Sequence, residues 1–318
     1  MRELTITTND ANQRLDRFLQ KAVPLLPGSL AQKYIRQKRI KLNGKRTEQN
    51  YRLTEGDTLQ LYIPDEFFET SQTTPAYTPD PQPNLQICHE DDHILILEKP
   101  PGLLSHSGNT QGEPTLIDQV KSYLYHTGQW DPAAEQSFTP ALCNRLDRNT
   151  GGLILAAKTA PALQILNEKI RAHEIDKYYL LAVHGRPDPP AGRIEGRISK
   201  DAHQNKVTVS ATESKDAKSA VTDYKTLETR GTLSLVECKL ETGRTHQIRV
   251  QMAALGCPLL GDPKYGDPDQ NRRYAEPYQA LWAHRIRFSF SAAAGMLNYL
   301  NHQEFTSSNI PFLLKYFP

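Results

Sequence analysis

Between residues 85 and 290, short apolar runs that read as strands outnumber helical patterns, and the two do not alternate regularly. Strands are expected at 94–97, 153–157, 178–184, 206–209, 220–227, 234–240 and 286–290, and helices only at 114–125, 160–173 and 245–255. A doubly wound parallel sheet requires a helix between successive strands, so this order selects an α+β domain. Lys99-Pro100-Pro101-Gly102 reads as the exit turn of the first of these strands. Pro114 falls in the first turn of the following helix, where a missing N–H breaks no hydrogen bond.

The front of the chain has a different character. The spacing of Leu15, Phe18, Leu19 and Ala22 predicts a helix over 13–23, which Pro24 stops. A second helix is expected from Ser29, read as its N-cap, through Arg36. Ile40-Lys41-Leu42 then alternates as a short strand, Asn43-Gly44 signals a hairpin turn, and Leu59-Gln60-Leu61-Tyr62-Ile63 alternates again. Residues 1–63 contain 12 Lys and Arg against 6 Asp and Glu, with no acid between Arg17 and Glu48. The net charge of +2 for the whole chain hides this asymmetry, which is the electrostatic profile of a polyanion binder. Residues 64–84 hold five prolines and four acids but no base, and read as an extended linker that would let its two neighbours move. The expected organisation is a small basic domain at 1–63, a linker at 64–84 and a large domain at 85–318.

No apolar run approaches the ~20 residues that cross a bilayer. Met1-Arg2-Glu3-Leu4-Thr5 lacks the apolar core of a signal peptide, so a cytoplasmic protein with no membrane partner is expected. Cys88, Cys143, Cys238 and Cys257 are scattered and have no histidines near them at metal-ligand spacing, which points to reduced thiols rather than a metal centre. The chain has no phosphate-cradling Gly-Lys loop and no dinucleotide fingerprint, so no cofactor is expected.

The segment Asn144-Arg145-Leu146-Asp147-Arg148-Asn149-Thr150-Gly151-Gly152-Leu153 sets an acid between two arginines and leads through two glycines into an apolar strand. Taken alone it fits an ordinary ion-paired surface loop. About a hundred residues later, Thr242-Gly243-Arg244-Thr245-His246-Gln247-Ile248-Arg249-Val250 supplies further guanidinium groups. A guanidinium favours the charged form of a neighbouring carboxylate and fixes its orientation, and an oriented carboxylate can act as a nucleophile. Glycoside hydrolysis would need a second acid of raised pKa, and these motifs contain none.

With these motifs in order, the chain resembles the RluA-type family of pseudouridine synthases from about Leu85 to Phe290. The resemblance is carried by Ile94 through His106, by Asn144 through Gly152, by Lys177-Tyr178-Tyr179, by Gly243 through Val250, by Leu255 through Asp262 with Lys264-Tyr265-Gly266, and by Leu281 through Ile286. It implies a mixed, mostly antiparallel central sheet with flanking helices, and an isomerase that detaches a uracil base from RNA and rejoins it through carbon. It further implies that Asp147 is the catalytic carboxylate, attacking the ribose or removing a sugar proton. Tyr179 would stack on the extracted base, Arg244 would pair with Asp147, and Arg145 would fill the gap left by the flipped nucleotide. Arg249 and His246 would stand beside the site.

The helix-helix-hairpin unit, with Arg14-Leu15-Asp16 and Ile40-Lys41-Leu42-Asn43-Gly44, resembles the small RNA-binding domain first seen in the fourth protein of the small ribosomal subunit. That resemblance implies RNA-backbone contacts from Lys33, Arg36, Lys38, Arg39, Lys41, Lys45 and Arg46.

Asn144 stands where the family pattern has histidine, and Gly151 where it has serine. The two-domain layout favours large-subunit ribosomal RNA as the partner, with transfer RNA as the alternative, and a monomer is the default expectation. Two other readings are a non-catalytic RNA-binding assembly factor and a base-releasing glycosylase. The first would not need Asp147, Tyr179 and Arg244 together, and the second would yield free uracil.

Overall fold

The computed structural model describes residues 1–68, 77–107, 112–201, 206–210 and 217–318. Of the expected linker, residues 69–76, Pro75 among them, lie outside the described residues.

The front of the chain runs β1 (Arg2–Thr5), α1 (Leu15–Ala22), α2 (Gly28–Arg36), β2 (Ile40–Leu42), β3 (Lys45–Arg46) and β4 (Thr58–Leu61), with the strands in the order β1-β4-β2-β3. Leu15, Phe18 and Leu19 of α1 and Ala31, Tyr34 and Ile35 of α2 close over Ile40, Leu42, Leu59 and Leu61. Each large side chain buried there contributes roughly 1.5–3 kcal/mol relative to exposure. Ser29 does not cap α2, because the helix begins one residue earlier and Pro27 occupies the cap.

The large part continues with β5 (Gln86–Glu90), β6 (Ile94–Lys99), α3 (Leu116–His126), β7 (Ala141–Leu142), β8 (Gly151–Ala157), α4 (Ala160–Arg171), β9 (Ile175–His184), β10 (Ala191–Asp201), β11 (Lys206–Ser210), β12 (Lys218–Arg230), β13 (Leu233–Leu240), α5 (Gln247–Ala254), α6 (Pro268–Arg272), β14 (Leu281–Phe288), β15 (Glu304–Thr306) and α7 (Pro311–Tyr316). Among the described residues these strands form one sheet in the order β11-β10-β12-β13-β9-β14-β8-β6-β5, with β15 paired to β14 and β7 to β8. The fold is α+β, and its sheet is antiparallel except where β14 runs parallel to β8. No helix among the described residues is long and apolar enough to cross a membrane.

β6 and β8 read as continuous apolar runs because both their faces are covered. Leu95, Leu97, Ile154 and Ala156 pack under Leu116, Val120 and Leu124 of α3. Ile94, Ile96, Leu153 and Leu155 pack under Ala162 and Leu166 of α4. Thr115 and Thr159 cap these two helices by accepting from Asp118 N and Ala162 N. β10 is not among the strands expected from the sequence: its Gly192 and Gly196 and its alternating charges hide Ile194 and Ile198.

Polar contacts join the front of the chain to the large part. Asn9 Nδ2 donates to Glu135 Oε1 at 2.7 Å, Gln13 Nε2 to Ser137 Oγ at 2.7 Å, and Ser137 Oγ to Asp10 Oδ1 at 2.6 Å. Gln136 Nε2 donates to Thr5 O and Asp10 Oδ2, and Ala160 N donates to Asn9 Oδ1. Tyr77, within the expected linker, packs edge-on against Tyr125 and Trp130, so the chain is already seated on α3 there.

Candidate active site

Asp147 lies on the connection from β7 to β8, and the exit turn of β6 clamps that connection. Ser105 Oγ donates to Leu146 O and accepts from Leu146 N, at 3.0 and 3.2 Å. Arg148 O accepts from Gly102 N and from the fully buried Lys99 ammonium, each at 2.9 Å. Lys99 Nζ also donates to Pro100 O and Leu103 O, both at 2.8 Å. Burial pushes the Lys99 amine down to about 7, and the Asp147 carboxylate opposes that shift. Three carbonyl acceptors match the three hydrogens of the charged form.

The glycines that follow have steric causes. A Cβ on Gly151 would lie 2.2 Å from the Trp282 ring. Gly152 has φ +111°, and a Cβ there would lie 2.3 Å from Ala283 O. The parallel pairing of Gly151 with Trp282 and Gly152 with Ala283 brings β8 that close to β14. Asn144 Oδ1 accepts from Leu155 N at 2.9 Å, so its amide extends the ladder where β7 ends.

The β8-β14-β9 order carries Asp147 to Tyr179, because Tyr179 pairs with Ala283. A cleft of about 440 Å³ is lined by Arg145, Asp147, Tyr179, Arg244, His246 and Arg249, among others. Arg249, on α5 and only 5% exposed, donates from Nη1 to Asp147 Oδ2 at 3.1 Å. Its Nε and Nη2 donate to the two oxygens of Asp262 at 2.7 and 2.9 Å. Asp262 in turn accepts from the backbone N–H groups of Lys264 and Tyr265. Burial works against ionisation of Asp262, yet Arg249 and these donors hold its carboxyl below the ordinary value.

His246 Nε2 stands 3.7 Å from Asp147 Oδ2, and its Nδ1 is 2.9 Å from Tyr265 Oη. Burial lowers the His246 pKa, with the charge of Asp147 in opposition, and this favours the neutral ring at pH 7. Burial and then the charge of Asp147 push the Tyr179 phenol well above its ordinary value, so it stays protonated. Asp147 Oδ1 has no hydrogen-bond partner among the described residues.

The sequence matches the RNA pseudouridylate synthase family over residues 93–254 and the S4 domain over residues 13–59. Ribosomal large subunit pseudouridine synthase C of Rickettsia bellii is 32% identical over 296 residues, spanning 90% of this chain and 93% of that protein. Ribosomal large subunit pseudouridine synthase D of Neisseria meningitidis serogroup A is also 32% identical, over 90% of this chain and 74% of its own. This chain belongs to the RNA pseudouridylate synthase family. Among solved structures, human RNA pseudouridylate synthase domain containing 4 superposes with a TM-score of 0.56 at 24% identity, over 72% of this chain and 90% of that one, which shows the shared fold.

The pseudouridine synthase cleft gathers Asp147, Tyr179, Arg145, His246 and Arg249, but its pairing differs from expectation in one respect. The guanidinium on Asp147 is that of Arg249. Arg244 is exposed, and its Nε donates to Ser219 O at 3.0 Å. The physical reason lies in where α5 starts. His246 has left-handed φ and ψ of 55° and 19°, so the helix begins at Gln247, with Arg249 in its first turn, and Arg244 is left on the preceding loop. Buried Gln247 fixes that loop, donating to Val221 O and Thr222 Oγ1 and accepting from Thr242 Oγ1 and Arg244 N. Arg145 Nη2 reaches across the cleft mouth to Thr245 Oγ1 at 3.3 Å. Lys99 and Asp262 are site residues that the sequence does not single out. Both lie in motifs visible in the sequence, but their partners are distant in the chain.

On the S4 domain, Lys33, Arg36, Lys38, Arg39, Lys45 and Arg46 are exposed and Lys41 is half-buried. The Arg39 and Lys41 head groups lie over the Tyr34 and Tyr62 rings at 4.6 and 5.2 Å. None of the seven forms an ion pair with a described residue, so the face keeps its positive charge.

Proposed function

We propose that this pseudouridine synthase isomerises specific uridines of large-subunit ribosomal RNA, working in the cytoplasm as a monomer without a cofactor. The names of its relatives and the unpaired basic face of the S4 domain support that substrate. Transfer RNA is the runner-up, because its loops also present uridines that can be unstacked.

The observation that carries the catalytic assignment is the division of labour on one carboxylate. Asp147 Oδ2 is held by Arg249, while Oδ1 has no partner among the described residues of the cleft. Extracting the nucleotide costs a few kcal/mol of stacking and pairing. Arg145, at the mouth, fills the vacated space, and Tyr179 receives the base. A phenol kept protonated suits a stacking surface better than a phenolate base. Asp147 acts at the sugar, either attacking C1′ or taking a proton, and the N1–C1′ bond breaks. The uracil turns and forms the C5–C1′ bond, and the C5 hydrogen is lost while N1 gains one. Atoms and electrons balance without an outside reductant or oxidant. Arg249, anchored by Asp262, takes the orienting role that the resemblance assigns to Arg244, and Arg244 contacts RNA from the rim. His246 stands beside Asp147 as a neutral ring.

Large-subunit ribosomal RNA carrying uridine tritiated at C5 tests this reading. The full chain should release tritium and Asp147→Asn should not, a loss of about a thousandfold or more, equivalent to ~4 kcal/mol of transition-state stabilisation. No release from ribosomal RNA combined with release from transfer RNA would move the substrate. Free uracil as product would overturn the isomerisation.

A further inference from the structure

One wall of the cleft carries cationic and donor groups that no described residue engages. Arg171 ends α4, His173 follows in the left-handed conformation at φ 57°, and Lys177 lies early in β9; all three line the cleft. Arg171 and His173 are exposed, whereas Lys177 is half-buried. Side chains alternate across a strand, so Lys177 and Tyr179 project from the same face of β9, about 7 Å apart along it.

The acids nearest Lys177 already have partners. Asp176 is taken by Lys239 at 3.0 Å and Arg287 at 2.7 Å, and Glu241 by Lys239 at 3.1 Å. Lys177, Arg171 and His173 make no side-chain hydrogen bond or ion pair with any described residue. Burial holds the Lys177 pKa below the ordinary lysine value, with Asp176 and Glu241 opposing. Withdrawing an ammonium from water without pairing it is unfavourable. Such a group is stabilised when an anion arrives with the ligand.

In a nucleotide whose base lies on Tyr179 and whose sugar lies at Asp147, the phosphate is the anionic part. We propose that Lys177 binds the phosphate nearest the reacting sugar, and that Arg171 and His173 hold the adjoining RNA backbone as it leaves the cleft. This assignment rests on the reading that a uridine of RNA enters the cleft at Asp147. It explains why the cation stays unpaired beside two acids: a partner within the protein would compete with the phosphate.

The test uses the full chain, a fluorescein-labelled oligouridylate and a series of KCl concentrations. Lys177→Met should lower the log-log slope of affinity against salt by about 0.7, the value for one single-strand phosphate contact. Lys177→Arg should restore it, and the Arg171→Gln/His173→Gln double variant should lower it independently. In tritium release, Lys177→Met should raise KM about tenfold with kcat changed far less. Unchanged slope and KM in folded Lys177→Met overturn the proposal. If that variant does not fold, an unchanged slope in the exposed double variant overturns it instead. A reduced slope in the variants, with no tritium release by the wild type, leaves the phosphate wall standing and removes the substrate reading. Release with unchanged slopes does the reverse.

Discussion

Asp262 takes two of the three guanidinium nitrogens of Arg249, at 2.7 and 2.9 Å, and the remaining one reaches Asp147. The Asp147 carboxylate is therefore oriented by a side chain that is itself held on its far side. Asp262→Asn keeps the shape and removes the charge. Breaking a buried pair on one side costs about 3–5 kcal/mol, so urea denaturation should show a loss of that order. Misplacement of Arg249 should also lower kcat by about a hundredfold, since such losses follow errors near 1 Å. Unchanged stability and turnover would show that Arg249 does not depend on Asp262.

Gly151 and Trp282 exclude each other's enlargement. Gly151→Ala should destabilise the fold by about 1–3 kcal/mol through overpacking. Trp282→Leu opens a cavity by itself but removes the clash, so the double variant should lose less than the sum of the singles by about 0.5–3 kcal/mol. Simple additivity in thermal unfolding would refute the coupling. This pair also gives a physical reason for glycine where the family pattern has serine.

The S4 face should govern affinity rather than chemistry. Changing Lys33, Arg36 and Lys38 together to glutamine should weaken RNA binding and reduce its salt slope by about 0.7–0.9 for each phosphate no longer neutralised, while kcat at saturating RNA stays near the wild-type value. A fall in kcat with an unchanged slope would contradict that division.

Acid should unfold the large part through carboxyls held below their ordinary values. Burial opposes ionisation of Asp176, but Lys239 and Arg287 together lower its pKa. Asp262 and Glu237 are lowered as well. A lowered folded pKa contributes stability that is complete above the unfolded value, about 4, and is lost as pH falls through the folded value. Urea midpoints should therefore drop steeply as pH falls below about 4. Asp176→Asn should flatten that drop, and an identical slope would remove Asp176 from the account.

The parts of the site that are legible in the sequence are those whose chemistry is local. Asn144 to Gly152 announces a carboxylate on a tight connection, and Gly243 to Val250 announces guanidiniums near it. Which guanidinium arrives depends on the residue where α5 starts. The left-handed His246 decides that, and a non-glycine in this conformation leaves no pattern in the sequence. Lys99 and Asp262 do not stand out in the sequence because their importance comes from partners 49 and 13 residues away. In the fold, β6 and β8 are legible as apolar runs, whereas β10 is obscured by its glycines and charges.

The groups that hold Asp147 in place are drawn from a long span of chain: Lys99 and Ser105 ahead of it, Arg249 well beyond, Asp262 further still, and Trp282 wedged against Gly151. During synthesis, a nascent chain that has not yet delivered β14 to its slot between β8 and β9 has its aspartate but lacks the frame that aims it. The apolar cluster of the S4 domain, from Ile6 to Ile63 with Phe67 and Phe68 packed against it, is synthesised long before that point. The basic face is thus made first and the frame around Asp147 last, so an unfinished chain presents its cations before its carboxylate is aimed.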